Sequence, residues 1–560
     1  MREIILGLWD GHDAGAALLV DGRLACAINE ERLTRRKLEI AFPRLAIAAC
    51  LDQAGIRADR IDRIAACTTD PAKTLSRLLP ATKERYYQLR RHLLPPSPLD
   101  PWTQTAKRVV TRWPGNAVTR RLSEWALQPE LRRLGIQAPV TWHDHHRCHA
   151  ATAAFGLGLD DTLVATLDGV GDGRSGSLYR FRSGRLEPLA SVAAHDSLGG
   201  FFECITRLMH LRELEDEGKV MALADHAPEI DPDDNPLLEL FAIDGLRIRA
   251  TVGDLERSVR RVHWRHPNET LAAMAQQALE SWVLTWIGHA LAATGLNRVA
   301  LAGGIFANVR LNGMIRRLPE VERCYVFPHM GDGGLAAGAA CLSATQVTMP
   351  LLEHPFLGPE ASAEEIEAAM RRSGLPHRHH ADPVPEAARL LTDGRILGWH
   401  QGRMEYGPRA LGGRSVLARP DLPGLRERLN RRLKRRAWYQ PFCPAMLDGE
   451  AERLLEDHRG PPDRGMTSLY RLRPTFRGLL AEVSGAEGSC RPQMVAEEDP
   501  GRYARLLVAM RAATGLGVVL DTSFNPHGQP LVNTPEEALR AFVAMGLDHL
   551  VIGDWIVDQA

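Results

Sequence analysis

The sequence predicts an α/β protein of more than one domain, and three observations carry that prediction. Short aliphatic runs repeatedly end in glycine turns next to small-residue stretches, at Ile4–Gly15, Thr162–Gly173 and Arg298–Asn308. The chain has 560 residues, more than one hydrophobic core normally organises. A Pro-bearing stretch from Met349 to Glu360 interrupts the pattern, and a capped-helix signal follows at Ala361–Met370.

Composition narrows the function classes. Lys+Arg at 69 balances Asp+Glu at 69, so no global field draws the chain to nucleic acid, and no nucleic-acid partner is expected. No apolar run approaches about 18 residues, and Met1-Arg2-Glu3 leads into a short strand rather than a signal-peptide core. No membrane association is expected, and the expected location is cytoplasmic. The 9 cysteines contain no CxxC pair, which argues against a zinc ribbon or a disulfide scaffold and for a reducing compartment.

In chain order, strands and turns dominate residues 1–72. The N-terminal pair of strands flanks the loop Asp10-Gly11-His12-Asp13. A polar, helical insertion is predicted at about 73–136. Its pairs Arg90-Arg91, Lys107-Arg108, Arg120-Arg121 and Arg132-Arg133 read as a solvated helix surface. The next stretch, Trp142–Ala154, places His145 and His149 four residues apart where an Ala-rich helix begins. Two imidazoles then share one face, a spacing suited to a transition metal or, in the blander reading, to a His-rich helix cap. The strand that starts at Thr162 runs into a glycine turn that places Asp168 to hold a cation. Arg298–Ala302 and the turn Gly303-Gly304 allow close approach by a nucleotide. Phe327–Gly334 sets Asp332 in a glycine turn before a small-residue helix, Leu335 to Ala344.

The order of these turns resembles the actin, sugar-kinase and heat-shock-chaperone type of ATP-binding fold, with two duplicated subdomains. With the HxxxH pair inserted, the set resembles the TsaD-type transferases of tRNA threonylcarbamoylation. It resembles more closely the NodU/CmcH family of O-carbamoyltransferases, through His12–Leu18, Glu30–Lys37 and Asp216–Ala224. In the C-terminal third, Gly402–Ser415, the Lys434-x-Arg436 pair and Ser523-x-Asn525 resemble the signature of YrdC-like α/β domains, which make carbamoyl-type adenylates.

The resemblance implies three segments: a TsaD-like transferase domain at 1–348, a linker and connecting helix at 349–384, and a YrdC-like domain at 385–560. It implies an ATP-dependent O-carbamoyltransferase with carbamoyl phosphate as donor, ATP with Mg as co-substrate, and a small-molecule hydroxyl, of natural-product or sugar type, as acceptor. His145, His149, Asp168 and Asp332 would hold Fe(II), with Zn or Mn as alternatives. His12 would be the general base. Lys219, Gly303, Gly304, Asn308 and Asn312 would contact the adenylate. Arg409, Arg414, Lys434, Arg436, Arg491, Ser523 and Asn525 would bind carbamoyl phosphate and ATP, with Lys434 and Arg436 also catalytic.

The sequence departs from the family pattern at three points. Gly485–Arg491 keeps an acid and an Arg but lacks the family's His, Ala437 follows Arg436 in place of an acid, and Gln440 precedes Pro441 in place of an Arg. The other readings are a tRNA threonylcarbamoyl-type transferase, a sugar-kinase-like phosphotransferase, and a non-enzymatic regulatory protein derived from this fold.

Overall fold

The computed structural model describes residues 2–95, 97, 109–352, 354–434, 436–485 and 488–559, with the side chain of Arg432 left aside. The chain forms two compact units. Met1–Glu30 and Leu38–Glu353 make the first, and Glu31–Lys37 with His354–Ala560 make the second. From sequence alone, Glu31–Lys37 fell in the first domain. The structure gives it to the second, where the Arg32 guanidinium donates to the Gly407 carbonyl at 2.9 Å and that of Arg35 to the Pro530 carbonyl at 2.8 Å.

The first unit repeats one sheet plan. Strands β1 (Ile4–Trp9), β2 (Gly15–Val20), β3 (Arg23–Asn29), β4 (Arg63–Cys67) and β5 (Val140–His143) lie in the order β3-β2-β1-β4-β5. β1, β2 and β3 form an antiparallel meander, to which β4 and β5 add in parallel. Strands β6 (Thr162–Gly171), β7 (Arg174–Arg182) and β8 (Arg185–Ala193) form a second meander. After the ribbon β9 (Phe241–Asp244) and β10 (Arg247–Ala250), β11 (Arg298–Ala302) and β12 (Arg323–Val326) add to β6 in parallel, in the order β12-β11-β6-β7-β8. This duplication is the actin-like ATP-binding plan that the sequence implied.

Two small-residue helices, His145–Leu157 and Leu335–Ser343, pack closely because glycine lets them. A Cβ on Gly338 would stand 2.0 Å from the Cys148 carbonyl oxygen, and one on Gly7 of β1 would stand 1.9 Å from that of Ala336. The alanines and glycines here therefore set the helix positions that carry the site residues.

The second unit is built on a mixed sheet of strands β13 (His377–His379), β14 (Leu397–His400), β15 (Arg414–Ala418), β16 (Cys443–Leu447), β19 (Gln493–Val495), β20 (Val518–Ser523), β21 (His549–Ile552) and β22 (Trp555–Asp558). Their order is β13-β22-β21-β14-β15-β20-β16-β19, and β17 (Tyr470–Arg471) pairs with β18 (Ser489–Cys490) apart from it. Alternation along β15 and β20 splits the core: Val416, Val518 and Leu520 face one layer, and Leu417 and Val519 the other. Ile366, Ala369 and Met370 of the helix Ala363–Ser373 enter the first layer, so the stretch expected to be a connector at 349–384 contributes to this fold. Among the described residues no helix is long and apolar enough to cross a membrane.

Candidate metal centre and anion cradle

Asp144 caps the helix His145–Leu157 by accepting from the Arg147 amide at 3.0 Å, which orients the first turn. His145 and His149 consequently face the same way, with ring centroids 4.8 Å apart. His145 Nε2 lies 3.0 Å and His149 Nε2 3.2 Å from Asp168 Oδ2 on β6. Asp332 brings its Oδ1 to 3.6 Å from His145 Nε2 and 3.5 Å from His149 Nε2. One ligand atom from each of the four residues lies within 4.8 Å of the others.

That arrangement fits a divalent first-row ion. Donors held at about 2.1 Å from one ion stand about 3.0–3.4 Å apart in octahedral or tetrahedral geometry, close to the imidazole–carboxylate separations of 3.0, 3.2, 3.5 and 3.6 Å. Two carboxylates balance a dication, and two imidazoles with two carboxylates suit iron, zinc or manganese. Electrostatics agree. Burial disfavours a charged ring at His145, yet Asp332 and Asp168 outweigh it and hold its pKa well above the ordinary value. Against the same cost of burial, the two imidazoles hold Asp168 well below the carboxylate range. The carboxylates thus demand positive charge at this point. His146 has no such role. Burial and then its two neighbouring imidazoles push its pKa well down, and its Nδ1 meets Thr166 Oγ1 at 3.0 Å.

His12 joins the centre from the first hairpin, with Nδ1 at 3.5 Å from Asp332 Oδ2. Its carbonyl accepts from Trp9 Nε1 at 2.8 Å, and the ring of Trp9 meets that of His145 edge-on, centroids 5.9 Å apart. The strand from Thr162 outruns the glycine turn expected at Asp168, because β6 continues past Asp168 to Gly171 across a register shift. Gly171 is required there by the His145 ring, whose Cγ would stand 2.4 Å from an added Cβ.

The insertion overturns the expectation of a solvated surface in its first half. Lys73, Arg77 and Lys83 turn inward onto Asp10. Lys73 Nζ is 2.9 Å and Arg77 Nη2 3.0 Å from Asp10 Oδ1, and Lys83 donates to the Asp10 carbonyl. Burial works against the Asp10 charge, but Arg77 and Lys73 prevail and hold its pKa well below the carboxylate range. Arg90 reaches Glu203 and Glu213, and Arg91 reaches Glu215. In Ala117–Arg133 the expectation is met at Arg120 and Arg133, which are exposed, whereas Lys107-Arg108 lie outside the described residues.

The residues expected at an adenylate divide. Gly304 is exposed and its N–H donates to Asp168 Oδ1 at 3.2 Å, and Gly303 holds φ +104 with Leu167 O where a Cβ would stand, at 2.2 Å. Asn308 caps the helix Val309–Arg316 and exchanges hydrogen bonds with Gln276, and Asn312 is fully buried with Nδ2 donating to Phe306 O at 2.7 Å. Direct contact from these two asparagines gives way to a role in shaping the turn. Lys219 is half-buried and pairs with Asp216 at 2.7 Å on the helix Glu217–Ala224.

In the second unit, Lys434 Nζ donates to the Ser523 carbonyl and lies 3.1 Å from Asn525 Oδ1 and 3.2 Å from Ser523 Oγ. Its neighbours are neutral acceptors. Burial, then the charge of Arg436, pushes its pKa down to about 7 despite the opposing Asp521. Arg409 is pushed down to about 9 by burial and then by Arg491. Arg436 stacks over the Phe442 ring at 4.1 Å, and Arg491 Nη2 donates to Cys443 Sγ at 2.9 Å. Among the described residues, no carboxylate forms an ion pair with Lys434, Arg409, Arg436 or Arg491. Ala486 and Glu487 of the Gly485–Arg491 segment lie outside that set.

Arg414 is not part of this cradle. It is fully buried, and Nη1 donates to the carbonyls of Gln401, Gly402 and Gly413 at 3.0–3.1 Å, closing the loop that precedes β15. Sequence reasoning passed over Asp521, which accepts from Tyr503 Oη at 2.6 Å and Ser415 Oγ at 3.0 Å; burial pushes its pKa up to about 7. Its position two residues before Ser523 on β20 was the available signal, since the two share one face of the sheet. Glu203 left no signal in the sequence.

The duplicated sheets and the four-donor centre define an α/β protein of the actin-like ATP-binding class with a candidate metal site. The chain belongs to the carbamoyltransferase family: the model of the carbamoyltransferase N-terminus matches residues 4–341 and that of the C-terminus residues 388–559. It is accordingly a transferase. Nodulation protein NolNO of Sinorhizobium fredii is 31% identical over 569 residues, covering 98% of this chain and 79% of that protein. Nodulation protein NolO of Bradyrhizobium diazoefficiens is 31% identical over 433 residues, covering 74% of this chain and 78% of that one. Among solved structures, full-length HypF in a phosphate- and nucleotide-bound form is 12% identical with a TM-score of 0.36, covering 62% of this chain and 56% of that one.

Proposed function

We propose that this protein is an ATP-dependent O-carbamoyltransferase that activates its donor in the second unit and transfers the carbamoyl group in the first. The observation that carries the reading is the anion cradle: four cationic side chains converge with no carboxylate ion partner among the described residues, an arrangement that polyphosphate would complete. Carbamoyl phosphate, ATP and one water become carbamoyl adenylate, phosphate and pyrophosphate. Lys434, Arg409, Arg436 and Arg491 neutralise phosphate oxygens during that exchange, while Ser523 and Asn525 orient them. This activation answers a chemical need, because carbamoyl phosphate is a poor direct donor to a neutral alcohol.

In the first unit, His145, His149, Asp168 and Asp332 would hold a divalent ion, iron or alternatively zinc or manganese, which supplies Lewis-acid anchoring of the adenylate. Gly304 presents exposed backbone beside Asp168. His12, oriented by Asp332, takes the proton of the acceptor hydroxyl as its oxygen attacks the carbamoyl carbon and AMP leaves. The acceptor is a small molecule of natural-product or sugar type, and the protein acts in the cytoplasm.

Incubation of the full chain with ATP, Mg and carbamoyl phosphate tests this reading. Release of pyrophosphate that depends on carbamoyl phosphate, with AMP as the final nucleotide, is expected. ADP as the product would instead indicate a phosphotransferase.

A further inference from the structure

Within the second unit, the segment Glu31–Lys37 meets two loops, and both carry cradle residues. The guanidinium of Arg32 is buried and donates through Nη2 to the Gly407 carbonyl at 2.9 Å, two residues before Arg409. Gly407 holds φ +142, a backbone state open to glycine and strained for other residues. Beyond Arg409, Glu405 Oε1 accepts from the amides of Leu411, Gly413 and Arg414 at 2.8–3.1 Å. Arg32 thus holds the start of the stretch that bears Arg409, and Glu405 holds its end. Arg35 meets the other loop. Its Nη2 donates to the Pro530 carbonyl at 2.8 Å and its Nη1 to that of Leu531, and Nη1 pairs with Glu537 Oε2 at 3.2 Å. These carbonyls form the return limb of the turn that begins at Ser523, where the Asn525 side-chain amide donates to the Gln529 carbonyl and the Val532 N–H to that of Phe524 at 3.0 Å. Arg35 itself has φ +62, the left-handed region that long side chains rarely adopt, and three acceptors on one guanidinium keep it there.

Resting on the activation reading above, we propose that Arg32 and Arg35 are positioning residues for adenylate formation: Arg32 sets Arg409, and Arg35 sets Asn525, where each meets the phosphates of ATP. Both act through main-chain carbonyls rather than on the nucleotide. A carbonyl withdrawn from water needs a donor, and the planar guanidinium fork of Arg35 serves two adjacent carbonyls with little loss of its own freedom. Without these donors the two loops would sample other conformations, and phosphate binding would have to order them. Asn525 shows what is at stake, since its Oδ1 accepts from Ser523 Oγ at 2.6 Å and lies 3.1 Å from Lys434 Nζ. A shift of its turn moves three cradle residues out of register together. The consequence is that the anion cradle is completed by a segment from the opposite end of the chain.

The test titrates full-length variants with α,β-methylene-ATP and Mg, which bind without turnover. Arg32→Ala and Arg35→Ala are each expected to weaken binding about 10-fold, as for a loop that holds its binding form a tenth of the time. Paired substitutions distinguish positioning from a general loss of stability. Arg32→Ala should add little to Arg409→Ala, through which it acts, yet multiply with Asn525→Ala, and Arg35→Ala should show the reverse pattern. Hydrogen exchange followed by mass spectrometry gives a second readout that needs no ligand. Arg32→Ala should speed exchange across 406–413 and Arg35→Ala across 524–533, with the helix His145–Leu157 at wild-type rates in both. The half-buried Arg35 decides the matter if Arg32→Ala does not fold. Wild-type affinity in Arg35→Ala, unchanged exchange across 524–533, or effects that multiply in every pair would each overturn the proposal. A wild type that binds no α,β-methylene-ATP, while exchange in both loops responds as expected, would instead overturn the activation reading.

Discussion

Asp332 reaches two imidazoles with its two oxygens: Oδ2 lies 3.5 Å from His12 Nδ1, while Oδ1 lies 3.5 Å from His149 Nε2. One carboxylate thereby orients an imidazole at the first hairpin and completes a donor set on a helix 133 to 137 residues further along. His12→Ala should then separate the half-reactions. Pyrophosphate release should persist, whereas carbamoylated product should fall by about 10²–10⁴. Both are measured in one reaction, and an equal fall in the two signals would show that His12 merely supports the fold.

Metal content offers a direct check on the four donors. Elemental analysis of the wild type should find one transition-metal ion per chain. His149→Ala should lose most of it, because deleting one imidazole from a set of four weakens binding severely. Equal content in the two proteins would remove the assignment.

Lys434→Ala and Ser523→Ala should each abolish most pyrophosphate release by removing contacts to phosphate. Metal content should stay at the wild-type value in both. Retention of wild-type release by Lys434→Ala would leave the cradle without its role.

The pKa of Lys434, pushed down to about 7 by burial and Arg436, predicts a pH dependence of anion binding. The ammonium is charged below that value and lost as pH rises through it, so affinity for a non-hydrolysable ATP analogue should weaken on the alkaline side. Asp521, pushed up to about 7 by burial, gains negative charge in the same window and acts in the same direction. Bound phosphate favours the ammonium, which moves the observed midpoint above 7. Titrations from pH 6 to 9 should show this loss in the wild type, a smaller one in Lys434→Arg, and a smaller one in Asp521→Asn.

Gly338→Ala tests the packing that positions the helix His145–Leu157. The added methyl would stand 2.0 Å from the Cys148 carbonyl oxygen, a backbone atom that can yield only if the helix moves. A loss of about 1–3 kcal/mol is expected in denaturant unfolding. Unchanged stability would mean that the two helices are free to separate.

Local signals made much of this legible. The HxxxH spacing and the acid that follows the Thr162 strand marked His145, His149 and Asp168 as candidate ligands, the family resemblance added Asp332, and the structure brings the four together. What escaped depends on partners distant in sequence. Arg90 and Arg91 read as solvated because the carboxylates that pair with them, Glu203, Glu213 and Glu215, lie far along the chain. Asn312 read as a ligand contact because its actual acceptor, the Phe306 carbonyl, is available only in a 3-10 turn no propensity marks. Arg414 read as an anion ligand for a similar reason: its three carbonyl partners converge only once β14 and β15 have paired.

The excursion of Glu31–Lys37 into the second unit has a consequence for synthesis. Arg32 precedes its acceptor Gly407 by 375 residues. At about 5–20 residues per second, a ribosome needs roughly 20–75 s to deliver that partner. During this interval the duplicated sheets can assemble, while the seven residues between Glu30 and Leu38 wait as an open loop carrying Arg32, Arg35, Arg36 and Lys37. The second unit therefore cannot be obtained whole by starting translation at His354. A chain begun there would lack Arg32 and Arg35, and the carbonyls of Gly407 and Pro530 would need other donors.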